Sequence, residues 1–397
     1  MSDQLFAYKR ENGRWGLRNR VLVLPLHSAL ASSARSIADA SDGAVAISHD
    51  WSGEVDSDLA RILFTFSGYA SNPNNFAVVF LTIGGKEELS IIEGAKALGL
   101  SRSTTLSLPE LGSLEKMQLE GVTVANAYVK EAKAQERVPA PWSAIVLGLE
   151  CGGSDALSGI TANPALGVAS DRLVELGATS VLGETTEILG AEHLLAARAI
   201  DPEVGKRIVA MVARYEASIN YEGIDIRGAQ PSRGNIEGGL STLEEKSLGA
   251  AKKAGNAPLT GVLEFGEKPV TPGLYFMDTP GHDIEQLAGF GAGHINVVVF
   301  TSGRGTPTGS AIMPTIKVST NTPMYSSIPD LIDLDAGTIA DGVETLAQVG
   351  DRIFTEIIEV ANGRLTKAEL GGHHEFALSR MYKTKIHEHL ELPRASI

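Results

Sequence analysis

Strand-sized apolar runs alternate with helix-patterned stretches along most of this chain. The run at 20–26 (RVLVLPL) is short and rich in branched aliphatics, which predicts a buried strand, and 45–48 and 77–83 repeat the signal. The Ala-rich stretch 28–39, with 59–66 and 87–98, predicts the helices between and after them. Unbroken apolar strands separated by helices indicate a parallel sheet, because each parallel connection must cross over the sheet and cover a face of it. The second half continues the pattern. Strands are expected at 143–149, 179–182, 273–277 and 295–301, and helices at 164–176, 184–200, 202–220 and 242–254, with a long helical stretch at 339–362. Pro164 suits a first helical turn, and Thr242 followed three residues later by Glu245 reads as a capping box. The charged stretch 130–142, ending in Pro139 and Pro141, reads as a linker. A chain of 397 residues exceeds what one core usually spans. The expected fold class is therefore α/β, with two domains (1–135 and 136–397) of mostly parallel sheets flanked by helices.

Charge and cysteine usage narrow the function. A formal net charge of −14 makes nucleic acid and anionic membranes poor partners. The opening MSDQLFAYKR has no apolar core, so it is not read as a secretory signal, and no apolar run approaches the ~20 residues that span a bilayer. The single cysteine, Cys151, rules out an internal disulfide, fits a cytoplasmic setting, and cannot hold an iron–sulfur cluster. Any bound metal must be held mostly by oxygen and nitrogen.

Four stretches follow predicted strands, where ligands of open α/β sheets sit. In Leu149-Glu150-Cys151-Gly152-Gly153-Ser154-Asp155, polar side chains surround two glycines that let backbone N–H groups approach a ligand, and the segment runs on through Asn163; it also reads as a polar turn over a buried thiol. In Gly183-Glu184-Thr185-Thr186-Glu187, the glutamates share a face if helical; a cation between them, or simply the dipole of a helix N-terminus, would account for the pair. Asp278, His282 and Asp283 flank Thr279-Pro280-Gly281, which reads equally as a metal-binding or base-carrying loop and as a surface turn. Arg304 and Gly305, in Thr301-Ser302-Gly303-Arg304-Gly305-Thr306, suit a carboxylate or phosphate through the two-pronged guanidinium, with Lys317 and Asn321 downstream. Neither a P-loop ending nor a dinucleotide fingerprint is present, so no nucleotide is expected. The polar stretch 227–239, which includes Asn235, is long enough to be a functional loop. A fifth stretch, from Tyr8 to Asn19, carries three arginines and a lysine that either bind anions or tie the N-terminus down.

With these stretches in view, the chain resembles the altronate/galactarate dehydratase family, specifically its large, C-terminal portion. The resemblance is carried by YKRENGRWGLRNRVLVLP, LGLECGGSDALSGITANPALG, GETTEILGAEHLLAARA, PSRGNIEGGLSTLEEKSLGAAKKAG, FMDTPG and FTSGRGTPTG, spread over residues 8 to 325. It implies a lyase on sugar acids that depends on a divalent metal, Fe2+ first and Mn2+ or Mg2+ next. It also implies a small domain, expected here as a separate small subunit, and the family includes the large subunit of sulfolactate sulfo-lyase, which expels sulfite. Family cysteines in the first domain are replaced here by Leu26-His27-Ser28-Ala29, Ser48-His49-Asp50-Trp51-Ser52 and Ile83-Gly84-Gly85-Lys86-Glu87, which moves the expected chemistry to the second domain.

The expected reaction is dehydration of a small hydroxy acid to a 2-keto-3-deoxy acid by a homo-oligomeric enzyme. Glu150, Cys151, Glu184 and Asp278 are the expected metal ligands. His282 or Lys246 is the expected base, and Ser154, Asp155, Asn163, Asn235, Arg304 and Gly305 the expected substrate contacts. The alternatives are the sulfo-lyase reaction, a non-catalytic paralogue and, more remotely, a phosphate-ester enzyme using the Arg304 loop.

Overall fold

A computed structural model of the protein describes residues 4–54, 58–219 and 230–379. The chain opens with β1 (Leu5–Lys9) and β2 (Trp15–Gly16), an antiparallel pair. The apolar runs that follow form a four-stranded parallel sheet in the order β4-β3-β5-β6, from β3 (Arg20–Pro25), β4 (Ala44–Ala46), β5 (Asn75–Thr82) and β6 (Ser103–Ser107). Every residue of β5 is buried, because it is a central strand covered on both faces. The helices Ala31–Asp39, Leu59–Ala70 and Lys86–Ala97 fall where the pattern placed them.

The stretch expected to be a linker is not one. Helix Leu114–Ala134 runs into it, and β7 (Val138–Ala140) then pairs with β1, Leu5 opposite Ala140 and Ala7 opposite Val138. The arginines of the opening segment tie the chain down. Arg10 donates to the carbonyls of Pro73 and Arg18, and Arg18 donates to Glu369 and to the Val360 carbonyl.

The second parallel sheet has seven strands in the order β10-β11-β9-β8-β12-β13-β14. They are β8 (Val146–Cys151), β9 (Thr179–Leu182), β10 (Leu259–Leu263), β11 (Gly273–Met277), β12 (Val297–Ser302), β13 (Thr315–Ser319) and β14 (Leu334–Asp335). From β8 the chain builds outward to β9, β10 and β11 on one side, then returns to β12, β13 and β14 on the other. The carboxyl ends of β8 and β12 therefore flank a topological switch point, where such sheets open a crevice.

The helix expected at 184–200 is broken. Glu184 has φ 62 and Gly190 φ 82, so a short 3-10 turn (Thr185–Ile188) and the separate helix Glu192–Ala196 replace it. Thr242 caps its helix by accepting from the Glu245 N–H, but the Glu245 carboxylate reaches Ser241 rather than closing a box on Thr242. The helical stretch expected at 339–362 begins only at Leu346, where Thr345 and Gln348 cap helix Leu346–Ala361. Residue 220 and residues 227–229 of the expected elements lie outside the described residues.

The two parallel sheets share a core. Leu22, Leu24, Val78 and Phe80 of the first pack in one cluster with Val298, Met277 and Phe290 of the second unit. The helices Leu59–Ala70 and Asp283–Ala292 meet at Gly68, where a Cβ would strike the Ala292 backbone. Among the described residues no helix is long and apolar enough to cross a membrane.

Candidate active site

Glu150 and Cys151 end β8 and are buried because that strand is central. Glu184 follows β9 directly. Its left-handed backbone is held by Thr279, whose hydroxyl accepts the Glu184 N–H at 2.6 Å and whose carbonyl accepts the Thr185 N–H at 3.0 Å. Asp283 opens helix Asp283–Ala292, which follows β11. Three strand ends thus deliver three carboxylates to one point: Glu150, Glu184 and Asp283 each offer an oxygen within 4.8 Å of the others.

Glycines make this convergence fit. A Cβ at Gly152 would strike the Asp283 carboxylate, one at Gly183 the Gln286 amide, and one at Gly281 the Thr186 hydroxyl. Each glycine leaves room for a polar side chain packed against it.

Beside the three carboxylates, Glu187 is held between two lysines. Its Oε2 accepts from the Cys151 thiol at 3.0 Å and from Lys253 Nζ at 3.1 Å, while Lys246 Nζ stands 3.6 Å from Oε1. Lys253 also reaches Cys151 Sγ at 2.9 Å. Burial alone would push Glu187 up, but Lys253 and Lys246 outweigh it and hold the carboxyl at about 2. Burial pushes Glu150 and Glu184 well above the usual carboxylate range, and the neighbouring carboxylates push them further. Asp283 rises for the same two reasons, burial first and then Glu187. Burial, then Glu187, pushes the Cys151 thiol up to about 12, so it is a neutral donor rather than a thiolate. Lys246 loses by burial but gains more from Glu187 and Glu184, so it is held protonated.

A cavity of about 380 Å³ opens over this group. Of the residues singled out in the sequence, Cys151, Ser154, Glu184, Asn235, Lys246, Arg304 and Gly305 line it, and Glu150 lies beneath, buried. Others are placed elsewhere. Asp278 accepts from Thr185 Oγ1 and from Arg214, both at 2.6 Å, and is absent from the carboxylate cluster; the turn through Thr279-Pro280-Gly281 brings Asp283 there instead. The His282 side chain is 60% exposed, stands 3.8 Å from Glu285, and does not line the cavity. The Asp155 carboxylate accepts from Ser158, Thr320 and Asn321, and Asn163 bonds Thr301 and Gly249, so both fasten loops. Asn235 faces the cavity, but its amide closes the cap on Ser232 and donates to the Ser154 carbonyl. Arg304 rests on the Gly234 carbonyl at 2.8 Å and on Glu237 at 3.3 Å.

Sequence reasoning passed over Asp283 in favour of Asp278, and missed Lys253. For Lys253 a signal existed: it lies seven residues after Lys246, which places both on one face of a helix.

The group suits a divalent cation. Both oxygens of Glu150 and Oε1 of Glu184 are buried without a hydrogen-bond partner among the described residues. Three buried carboxylates (Glu150, Glu184, Glu187) and the half-buried Asp283 face two ammonium groups (Lys246, Lys253), leaving two negative charges in excess when all are ionised. Buried charges persist only when paired or bound to metal.

The chain matches known proteins along most of its length. Residues 142–384 match the family described as D-galactarate/altronate dehydratase, C-terminal, and residues 7–133 match its second domain. The chain is 36% identical over 387 residues to the (2R)-sulfolactate sulfo-lyase subunit beta of Chromohalobacter salexigens, covering 95% of this chain and 97% of that one. It is 38% identical over 309 residues to the galactarate dehydratase (L-threo-forming) of Escherichia coli, covering 76% of this chain and 59% of that one. With the altronate dehydratase of Bacillus subtilis the identity is 34% over 388 residues, covering 94% of this chain and 76% of that one.

Proposed function

Because this chain belongs to the D-galactarate/altronate dehydratase family, a family of lyases, we propose that it eliminates a β-leaving group from a small polyhydroxy acid, with a divalent cation held by Glu150, Glu184 and Asp283. Water from a sugar acid is the first reading of the leaving group. The observation that carries the proposal is the buried, donor-poor set of carboxylate oxygens at the switch point, with two negative charges in excess.

Bound there, such a cation supplies Lewis acidity to the substrate carboxylate and its neighbouring hydroxyl, lowering the cost of the enolate-like charge that develops. The chain's own groups do the rest. Arg304, at the cavity wall, can exchange its contacts with Gly234 and Glu237 for the substrate carboxylate. Lys246 lines the cavity and is protonated at rest, which suits it to give a proton to the departing β-hydroxyl rather than to take the α-proton. As the α-C–H bond breaks, its proton passes to one of the ionised carboxylates lining the cavity, its electron pair forms the Cα=Cβ bond, and the β-hydroxyl, protonated by Lys246, leaves as water. The enol product ketonises to the 2-keto-3-deoxy acid. Lys253 and Cys151 fix Glu187, which fixes the charge on Lys246.

A second reading is favoured by one observation: the match to the sulfo-lyase subunit beta runs nearly the full length of both chains. On that reading the substrate is a sulfonated hydroxy acid, sulfite is the leaving group, and a partner subunit is needed. Turnover of a panel of aldonic, aldaric and sulfonated hydroxy acids with Fe2+ or Mn2+, with and without a candidate small subunit, decides between them. A keto-deoxy acid supports the first reading and sulfite the second. Full activity of Glu150→Ala, Glu184→Ala or Asp283→Ala overturns the shared site.

A further inference from the structure

Gln286 lies one turn after Asp283, on the same face of helix Asp283–Ala292. It is wholly buried, and neither its Oε1 nor its Nε2 has a hydrogen-bond partner among the described residues. Nothing in the sequence singles it out, and an amide buried in this way is costly unless something completes it.

Its surroundings indicate what that is. Successive side chains of a strand point to opposite faces, so Gly148, Glu150 and Gly152 share one face of β8. The helix covers that face: a Cβ at Gly148 would lie 2.7 Å from the Phe290 ring, and one at Gly152 would strike the Asp283 carboxylate. Glu150 stands between those two rungs, and Gln286 stands between Phe290 and Asp283. The Gln286 amide is thus level with the Glu150 carboxylate. On its other side it packs against Gly183, the residue before Glu184, closely enough that a Cβ there would strike Nε2.

The orphaned atoms of this patch are mostly acceptors: both oxygens of Glu150, Oε1 of Glu184 and Oε1 of Gln286. While ionised, the carboxylates, like the amide oxygen, can only accept and cannot donate to one another. The nearby orphaned donors, Gln286 Nε2 and the Thr186 hydroxyl, are too few to satisfy them. A cation satisfies all four acceptors together. A neutral oxygen also adds coordination without adding charge, and the excess of two negative charges already matches a divalent ion.

We propose that Gln286 is a further protein contact of the cation held by Glu150, Glu184 and Asp283. Its amide oxygen turns to the ion or to a water the ion binds, and Nε2 donates to one of the glutamates. This assignment rests on the cation site proposed above.

The test is calorimetric titration of the full chain with Mn2+, read beside the melting temperature of the metal-free protein. Gln286→Met keeps the length and removes the amide. It is expected to bind Mn2+ about 10- to 100-fold more weakly, the usual effect of losing a group that supports a metal site, while the metal-free form melts no lower than wild type. A group that merely packs the helix would lower the metal-free melting temperature. Unchanged Mn2+ affinity overturns the assignment, as does weaker binding accompanied by a lower metal-free melting temperature. Gln286→Glu keeps the oxygen and is expected to bind Mn2+ at least as tightly as wild type; loss of binding in that variant overturns the assignment even if Gln286→Met does not fold. Glu150→Gln and Glu184→Gln in the same titration separate the two ideas. If they bind normally, the cation site itself fails; if they lose binding and Gln286→Met does not, only Gln286 is misassigned.

Discussion

His294 links the two sheet-bearing units, and its titration should be visible in the stability of the whole chain. It follows helix Asp283–Ala292 in a left-handed conformation, φ 62, and is 7% exposed. Arg14 reaches Nδ1 at 2.9 Å, and Nε2 is 2.9 Å from the Ser71 hydroxyl, which itself donates to the Gly68 carbonyl. The partners therefore fit a neutral ring that accepts at Nδ1 and donates at Nε2. Burial first, then the Arg14 charge, holds its pKa down to about 3. The unfolded chain binds this proton near the ordinary value of 6.5, so the folded state is favoured above that pH and loses the advantage as pH falls toward 3. Between pH 7 and pH 5 the unfolded ring gains about three-quarters of a proton and the folded ring almost none, a loss of about 2 kcal/mol, rising to about 3 kcal/mol by pH 4. Urea denaturation of wild type and His294→Asn at pH 7 and pH 5 isolates this contribution, because asparagine tolerates the left-handed backbone. The variant should be the less stable at pH 7, yet lose about 2 kcal/mol less than wild type on acidification. Equal losses in the two proteins would refute the reasoning.

Three further outcomes follow from the site. Asp278→Asn should bind Mn2+ like wild type and cost under about 1 kcal/mol, because it breaks only a half-exposed pairing with Arg214, whereas Asp283→Asn should lose binding; calorimetry reads both. Lys253→Met strands Glu187 and should destabilise the fold by about 3–5 kcal/mol; adding Glu187→Gln should restore part of that, as a denaturation double-mutant cycle would reveal. Arg304→Ala should raise KM by about 10- to 100-fold with a smaller change in kcat, the loss of a charge-assisted contact with the substrate carboxylate, measured by steady-state kinetics on whichever acid is turned over.

The strands legible in the sequence were β3, β4, β5, β8, β9, β11 and β12; of these β3, β5, β8 and β12 have the unbroken apolar character that central positions demand. Those passed over were polar or lay toward the sheet margins. β6 (STTLS) is an edge strand in which only Leu106 is buried, and β13 (TIKVS) carries a buried lysine, Lys317. Glu150, Cys151, Glu184 and Arg304 could be picked out because each ends an apolar strand or lies within two residues of its end. The choice between Asp278 and Asp283 could not be read that way. Both follow β11, and it is the turn through Thr279-Pro280-Gly281 and the partner Arg214 that send one outward and the other in. The break after Glu184 was hidden because the stretch to residue 200 keeps helical composition while its backbone turns left-handed at Glu184 and Gly190.

The opening strand acts as a clasp. Leu5, Ala7 and Leu17 sit in the apolar core beneath the seven-stranded sheet, and Asn362, from the far end of the sequence, accepts the Phe6 N–H. A fragment starting after residue 141 would present an empty socket where that strand belongs, and one ending near 135 would carry a strand with nothing to pair with. Swapping the first half for that of a relative is therefore not a transplant of one self-contained module: the new half must bring an opening strand that fits the old half's floor, on whose upper edge the carboxylates stand.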